Sequence, residues 1–500
     1  MYIESNGTND DHSPVLVGVS VVNQRFETAG EGRQAYQLMI DALVMASNDA
    51  GTSELLKQAN AIQVPKGTWA YTNPANLLAD AIGAKDARTV LSDIGILQQT
   101  LFSRACCQIV EGECDIVLVV GGEAKYRDLQ ATIAGLKLHD VGEQQVEPDV
   151  TLSPGAELRS QVERDAGFGM PVGDYAIIDS ALRYKQNMSV DDHRDQMAAT
   201  YQSFSHIAES NPDAWNRQRI DAAYIRNPSP KNKMLAFPYT KLHNSQWNVD
   251  QASALIFCSV AKARELKIDE SQWVYPLASV ESNHLSMVSE RKELHRCPGF
   301  YHVGKKALML TGKSIEQIEH RELYSCFPAA IRTQIVELGL NEGQSLSVTG
   351  AMTFAGGPLN NFVLQATVKM AQILRQHPGD TGLVTCVSGM LTKQACALWS
   401  TQANPRGFQF SDVSEAVASD TELCELVAGY RGTAVVAGYT VLYQGEQPYR
   451  GIAVVDIDDK RRTVVYTEES ELMAEMLIGE FCGRFIQVFE EKFSAIIPTP

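Results

Sequence analysis

Apolar residues fall in short continuous runs that alternate with stretches of helical period. Residues 14–22 (PVLVGVSVV) read as a strand buried on both faces, and residues 34–50 as a helix with Leu38, Leu43, Val44 and Ala46 inward and Gly51 as its stop. Residues 59–64 predict a second strand, 76–82 a short helix, and 89–91 a strand ending at Ser92-Asp93, which suit a helix N-cap. Ile94, Leu97, Leu101, Ala105 and Ile109 recur near period 3.6 and predict a helix over 94–110, ended by Gly112. Residues 114–120 (CDIVLVV) then form an unbroken apolar run before Gly121-Gly122, the pattern of a parallel strand covered on both faces.

Residues 128–250 break this rhythm. They are rich in charge, Asn, Pro, Met and His, with helix signals at 175–185 and 189–207, and read as a helical excursion from an α/β core. Apolar patterning returns at 251–263 and in a strand over 273–280. Helices are then expected over 300–311, 329–338 and 359–375, and a strand over 382–387 ending at Ser388-Gly389. Residues 348–355 form an apolar, strand-like run closed by Gly356-Gly357-Pro358 at the start of the 359–375 helix. Both halves share the succession of helix, Gly or Asp turn, buried strand and small-residue end, a weak internal duplication of long period. Two such halves packed together place both sets of strand ends and helix starts near one cleft. After Asn404-Pro405-Arg406-Gly407, runs at 433–443, 449–456, 462–467 and 485–489, with a helix at 471–480, predict a small antiparallel β domain resembling a partly open oligonucleotide-binding (OB) barrel.

The formal charge of −17 and the absence of a long basic run exclude nucleic acid as the expected partner. No stretch of 18 apolar residues is present, so no membrane span is expected. The polar, acidic start MYIESNGTNDDHSP lacks the features of a secretory leader, and ten scattered cysteines without a CxxC pair fit reduced thiols. A cytoplasmic protein is expected, and no metal site.

Four segments carry a resemblance: EGECDIVLVVGGEAKY (111–126), HRELYSCFPAA (320–330), VTGAMTFAGGP (348–358) and TCVSGMLTK (385–393). Together with the order of elements over about residues 12–402, the chain resembles the thiolase superfamily, and within it thiolase-like proteins with an extra C-terminal domain. The resemblance implies an α/β fold of duplicated βαβαβαββ halves in a five-layered core, with the OB-like β domain appended. It divides the chain into residues 12–127 plus 251–280 (first half), 128–250 (excursion), 281–402 (second half) and 405–500 (β domain).

Thiolases join or cleave carbon–carbon bonds of acyl-CoA thioesters. Coenzyme A thioester is therefore the implied substrate or ligand, with no permanently bound cofactor. The family's nucleophilic Cys sits at a helix N-terminus, about seventeen residues before the Gly that precedes the GGxE strand, where the helix dipole lowers a thiol's pKa. Counting from Gly112 that position is Gly95, so the nucleophile is missing. The Asn-Glu-x-Phe element is represented by Tyr324-Ser325-Cys326-Phe327, with Tyr324 a substitute hydrogen-bond donor. In the Gly-His-Pro element Gly357 replaces the His. In the Cys-x-Gly element Cys386 is kept as a candidate acid/base and Ser388 replaces the Gly. Backbone N–H groups of Gly95 and Ser388 are candidates for an oxyanion hole. His295, His302 and His320 are alternatives for the missing His, and Lys231, Lys233 and Lys241 for contacts with CoA phosphates.

Two functions follow: an acyltransferase-type enzyme of altered chemistry, or a non-catalytic acyl-CoA or acyl-carrier-protein binding module that recruits a partner protein through its C-terminal domain. Either a monomer or a homodimer is compatible.

Overall fold

The computed structural model describes residues 10–142, 144–341 and 343–495. Its first half runs β1 (Pro14–Asn23), α1 (Ala35–Asp49), β2 (Ala61–Pro65), α2 (Pro74–Ile82), β3 (Arg88–Ser92), α3 (Gln98–Val110) and β4 (Ile116–Ala124). The excursion contributes β5 (Val150–Leu152), α4 (Pro171–Lys185), α5 (Val190–Ser210), β6 (Met234–Ala236) and β7 (Tyr239–Thr240), and β8 (Asp250–Ser259) returns to the core. The first sheet has the order β1-β8-β4-β2-β3-β5. Strands β4, β2 and β3 are parallel neighbours, and β8 is antiparallel to β1 and β4. The apolar runs become strands because helices cover both faces. Helix α1 approaches so closely that a Cβ on Gly18 would lie 2.3 Å from the Ala46 carbonyl oxygen.

The second half runs β9 (Tyr275–Ser282), α6 (Pro298–Thr311), β10 (His320–Glu322), α7 (Pro328–Leu338), α8 (Ala351–Phe354), α9 (Phe362–Gln376), β11 (Thr381–Ser388), β12 (Lys393–Ser400) and β13 (Gln409–Asp412), in the sheet order β10-β11-β12-β9-β13. The expected duplication is now explicit. The order β1-β8-β4-β2 recurs as β9-β12-β11-β10 with the same succession of antiparallel, antiparallel and parallel pairings. Helices α3 and α9 pack between the two sheets, α1 covers the outside of the first and α6 that of the second, giving five layers. Phe102 of α3 joins the sheets through ring contacts to Phe257 of β8 and Trp399 of β12.

Three expectations are corrected. Tyr275–Ser282 opens the second sheet, so the halves meet before it and not after residue 280. Helix α3 begins at Gln98 rather than residue 94, because Gly95 at φ +106° turns the chain just before it. Residues 348–355 form no strand: after Gly350, at φ +96°, the chain enters the one-turn helix α8. With no alternating face to offer a sheet, this mostly apolar run is buried as a loop and a turn instead.

The chain then adds β14 (Glu425–Leu426) and the barrel strands β15 (Arg431–Gln444), β16 (Gln447–Asp456) and β17 (Arg461–Thr467), followed by α10 (Ser470–Ile478), β18 (Phe485–Phe489) and β19 (Lys492–Ala495). Pairings β15–β16–β17–β19–β18–β15 close a five-stranded barrel with a helix between its third and fourth strands. It is closed rather than partly open, and β17 and β19 are parallel. The barrel is fastened to α4. Arg183 pairs with Glu480 at 2.8 Å, and the Tyr439 N–H donates to Ser180 Oγ at 2.8 Å. No helix among the described residues is long and apolar enough to cross a membrane.

Beneath α4 lies a buried polar knot. Asp179 meets Arg332 of α7, accepts from the Tyr239 hydroxyl at 2.6 Å, and lies 3.1 Å from His193 Nε2 of α5. Burial alone would raise the Asp179 carboxyl, but Arg332 and His193 outweigh it and hold it well below the usual range. His243 lies against Tyr239 and Tyr201, with Nδ1 3.2 Å from the Thr240 N–H. Burial pushes its pKa down to about 3, so the folded ring is neutral. An unfolded His titrates near 6.5, so the stability this ring contributes is complete above about pH 6.5 and is lost as pH falls toward 3. His243→Gln should therefore gain on the wild type by up to ~1.4 kcal/mol per pH unit between about pH 6 and 4. Urea unfolding of both proteins at matched pH measures this. A constant difference across that range contradicts the assignment.

Candidate functional site

The starts of α3 and α9 meet between the two halves. Gln98, the first residue of α3, is buried, and its amide bridges to the second half. Its Nε2 donates to the Leu359 carbonyl at 3.3 Å and its Oε1 accepts from the Val363 N–H at 2.8 Å. Gln99 donates to Ser279 Oγ at 2.7 Å and to the Cys396 carbonyl at 2.9 Å. These two glutamines are inward-facing polar side chains at the start of an apolar helix. Sequence reasoning passed over them, although a polar pair at that place was the available signal.

Cys386 lies on β11 with its thiol fully buried against the start of α3. Burial pushes it up to about 12, against the pull of the Gln98 and Gln99 N–H groups. At neutral pH it is a thiol with no solvent contact, the opposite of the electropositive, accessible setting of reactive cysteines.

Tyr324 follows β10 and is fixed through its backbone. Its N–H donates to Thr385 Oγ1 at 2.7 Å and its carbonyl accepts from Gln334 Nε2 at 2.9 Å. Its ring stands edge-on to Phe362. Burial raises its hydroxyl, with the neighbouring Cys326 and Cys386 adding to the effect. The Cys326 thiol is likewise buried, beside the Tyr175 hydroxyl, and burial pushes it up to about 12. Tyr175 itself donates to the Gly389 carbonyl at 3.1 Å.

Gly357 donates its N–H to the Gln246 carbonyl at 2.9 Å. A Cβ there would sit 3.0 Å from Ser245 Cβ and 3.4 Å from Met352 Cε, a tight fit that Ser245 would have to yield to. Gly356 is more restricted still, with φ at +104° and a virtual Cβ 2.0 Å from Gln251 Oε1. The loop that delivers both glycines is held by several side chains, Asn211 among them, which donates to the Thr349 carbonyl at 2.9 Å. Buried Glu322 accepts from the Val348 and Thr349 N–H groups at 2.7 and 2.8 Å, and from Ser347 Oγ and Thr349 Oγ1 at 2.9 and 3.0 Å.

Gly95 and Ser388 meet at one corner through Lys393, which pairs in register with Ser388 and donates from Nζ to the Gly95 carbonyl at 3.1 Å. Buried Glu281 also faces this corner. Burial pushes it up to about 7, opposed by the Thr100 hydroxyl at 2.9 Å. Neither Lys393 nor Glu281 was singled out from sequence, although Lys393 closes the TCVSGMLTK segment.

Of the residues named from sequence, Tyr324 lies beside Cys386, Lys393 links Gly95 to Ser388, and Gly357 lies against Ser245 and Met352. The alternative histidines lie elsewhere: His302 pairs with Asp420 at 3.0 Å and His320 with Asp380 at 2.8 Å. Among the described residues no cluster of His, Cys, Asp and Glu is arranged to hold a metal.

No family model matches the sequence, and no curated protein matches it. Solved structures do. A monomeric SCP2-thiolase like protein type 1 from Mycobacterium smegmatis superposes with a TM-score of 0.82 at 22% identity, over 97% of this chain and 100% of that one. The acetyl-CoA acetyltransferase of Syntrophomonas wolfei gives a TM-score of 0.55 at 17% identity, over 78% of this chain and 99% of that one. The dimeric peroxisomal thiolase of Saccharomyces cerevisiae gives 0.54 at 16% identity, over 78% and 98%.

Proposed function

The chain has the thiolase fold with a C-terminal β-barrel, and we propose that it works as an acyl-thioester-binding protein that has given up thiolase chemistry. The sealing of Cys386 carries this reading. It is the only one of the four catalytic positions to keep the family's side chain, and it is buried, protonated and screened by Gln98 and Gln99. Gly95 and Gly357 offer backbone only, and a Cβ at Gly357 would crowd Ser245. Oxyanion stabilisation and covalent catalysis supply most of an acyl transferase's rate, and neither has its side chain here. An acyltransferase using Cys386 as its base is less well supported, because that thiol would have to ionise in a dry interior.

Calorimetry with CoA, acetyl-CoA and a long-chain acyl-CoA tests the binding reading. Saturable binding that persists in Cys386→Ala supports it, and no binding to any of the three overturns it. We further propose that the protein is monomeric, because β5 occupies the outer edge of β3, which would otherwise be open for pairing. Light scattering should give the monomer mass of 54.9 kDa, and a dimer mass would contradict this. The barrel is the proposed contact for a partner protein, with Phe485 and Phe489 of β18 exposed on it.

A further inference from the structure

The corner where Lys393 reaches Gly95 is covered by residues 154–159, which form neither helix nor strand. Gly155, Ala156 and Glu157 at their middle are exposed, while Lys393 and Glu281 are nearly sealed, at 3% and 5% exposure. The cover fits closely. A Cβ on Gly95 would lie 2.9 Å from Pro154 Cβ, and one on Gly389, in the turn between β11 and β12, 3.1 Å from Leu158 Cδ2. Pro154 and Leu158 therefore rest on the two glycines at the edge of the corner.

Both ends of this segment are anchored. Before it, β5 is paired with β3, and Ser153 Oγ donates to Asp93 Oδ2 at 2.7 Å. After it, Glu163 in the short helix Gln161–Ala166 accepts from the Ser289 N–H and hydroxyl at 3.0 and 2.8 Å. Between the anchors, among the described residues, no main-chain to main-chain hydrogen bond holds residues 154–159. Side chains hold them instead. Arg159 donates to Asp174 Oδ2 at 2.8 Å, and Arg164 to the Glu157 carboxylate and the Arg159 carbonyl at 3.0 and 2.7 Å. Asp174 is buried in α4, whereas Glu157 is exposed, so the Arg159 pair is the stronger tie. A segment with fixed ends and no ladder of its own can lift without breaking either sheet.

We propose that residues 154–159 are a strap that gates this corner, latched by Arg159 on Asp174, and that Lys393 is reached from solvent only when the strap lifts. This goes beyond the acyl-thioester reading and does not depend on it.

Acetylation of the full-length protein by N-hydroxysuccinimide acetate, followed residue by residue by mass spectrometry, tests it. In the wild type Lys393 should react far more slowly than Lys57, whose side chain is 59% exposed. Arg159→Ala leaves the Asp174 carboxylate without its partner and should speed acetylation of Lys393 by about tenfold or more. Leu158→Ser keeps the latch and removes one apolar seat at a partly exposed position, and should speed it by about threefold to tenfold. Cys258 and Cys396, fully buried in the two sheets, should stay unlabelled by iodoacetamide in both variants. Wild-type Lys393 reacting as fast as Lys57 overturns the proposal. So does a Lys393 rate unchanged in both variants, or one that rises only together with labelling of Cys258 and Cys396, which would report general unfolding. The probe carries no thioester, so a failure to bind any CoA thioester would refute the reading of the preceding subsection and leave the strap standing.

Discussion

Asp179→Ala is expected to cost about 3–5 kcal/mol, because it leaves Arg332 charged, buried and without its counterion. That is a large part of a domain's stability, roughly 5–15 kcal/mol. The effect reaches further than one ion pair. Asp179 ties α4 to α7, and through the Tyr239 hydroxyl it also steadies the start of α7, since that hydroxyl accepts from the Ala329 N–H at 3.1 Å. Residues 324–327 lead directly into α7, so loosening this knot loosens the wall on which Tyr324 and Cys326 are mounted. The urea midpoint measures the loss. Arg332→Met in the same background should recover part of it, since removing both charges is far less harmful than removing one. An Asp179→Ala protein within about 1 kcal/mol of wild type would show that the buried pair has been misjudged.

Glu322→Ala should be of similar size, about 3–5 kcal/mol, for a different reason. Two backbone N–H groups and two hydroxyls lose their acceptor in a buried place, and each orphaned donor costs about 1–3 kcal/mol where no water replaces it. Glu322→Gln keeps the volume but sets an N–H₂ among donors, so it should recover little. Amide hydrogen exchange gives the local signature: Val348 and Thr349 should lose protection before the sheets do. Unchanged protection at these two amides would mean that the loop of residues 347–350 is held by packing instead.

Much of the core was legible in the sequence because its signals are local. The runs 14–22, 114–120 and 382–387 are strands whose burial on both faces removes any polar alternation, and the helices between them carry their own period. The duplication was legible for the same reason. What misled was a signal that local pattern cannot resolve. Ile94 and Leu97 fit a helical period, yet Gly95 at φ +106° delays the helix to Gln98. The run at 348–355 matches strand and buried turn equally well, and side chains distant in sequence, Glu322 and Asn211 among them, hold it as a turn. At the candidate site the sequence named positions, and nothing local in it described their surroundings. The amides of Gln98 and Gln99, Lys393 on the Gly95 carbonyl and Ser245 against Gly357 are all tertiary contacts with no spacing to announce them.

We propose that the thiolase fold is kept here while its chemistry is lost. Burial raises the Cys386 pKa to about 12, so the thiol stays protonated at pH 7, and no histidine stands at Gly357 to draw its proton. Thiolysis of acetoacetyl-CoA by CoA tests this most directly, with wild type and Cys386→Ala side by side. The account predicts that both run at the uncatalysed rate and cannot be told apart. Turnover by the wild type that Cys386→Ala abolishes would contradict it.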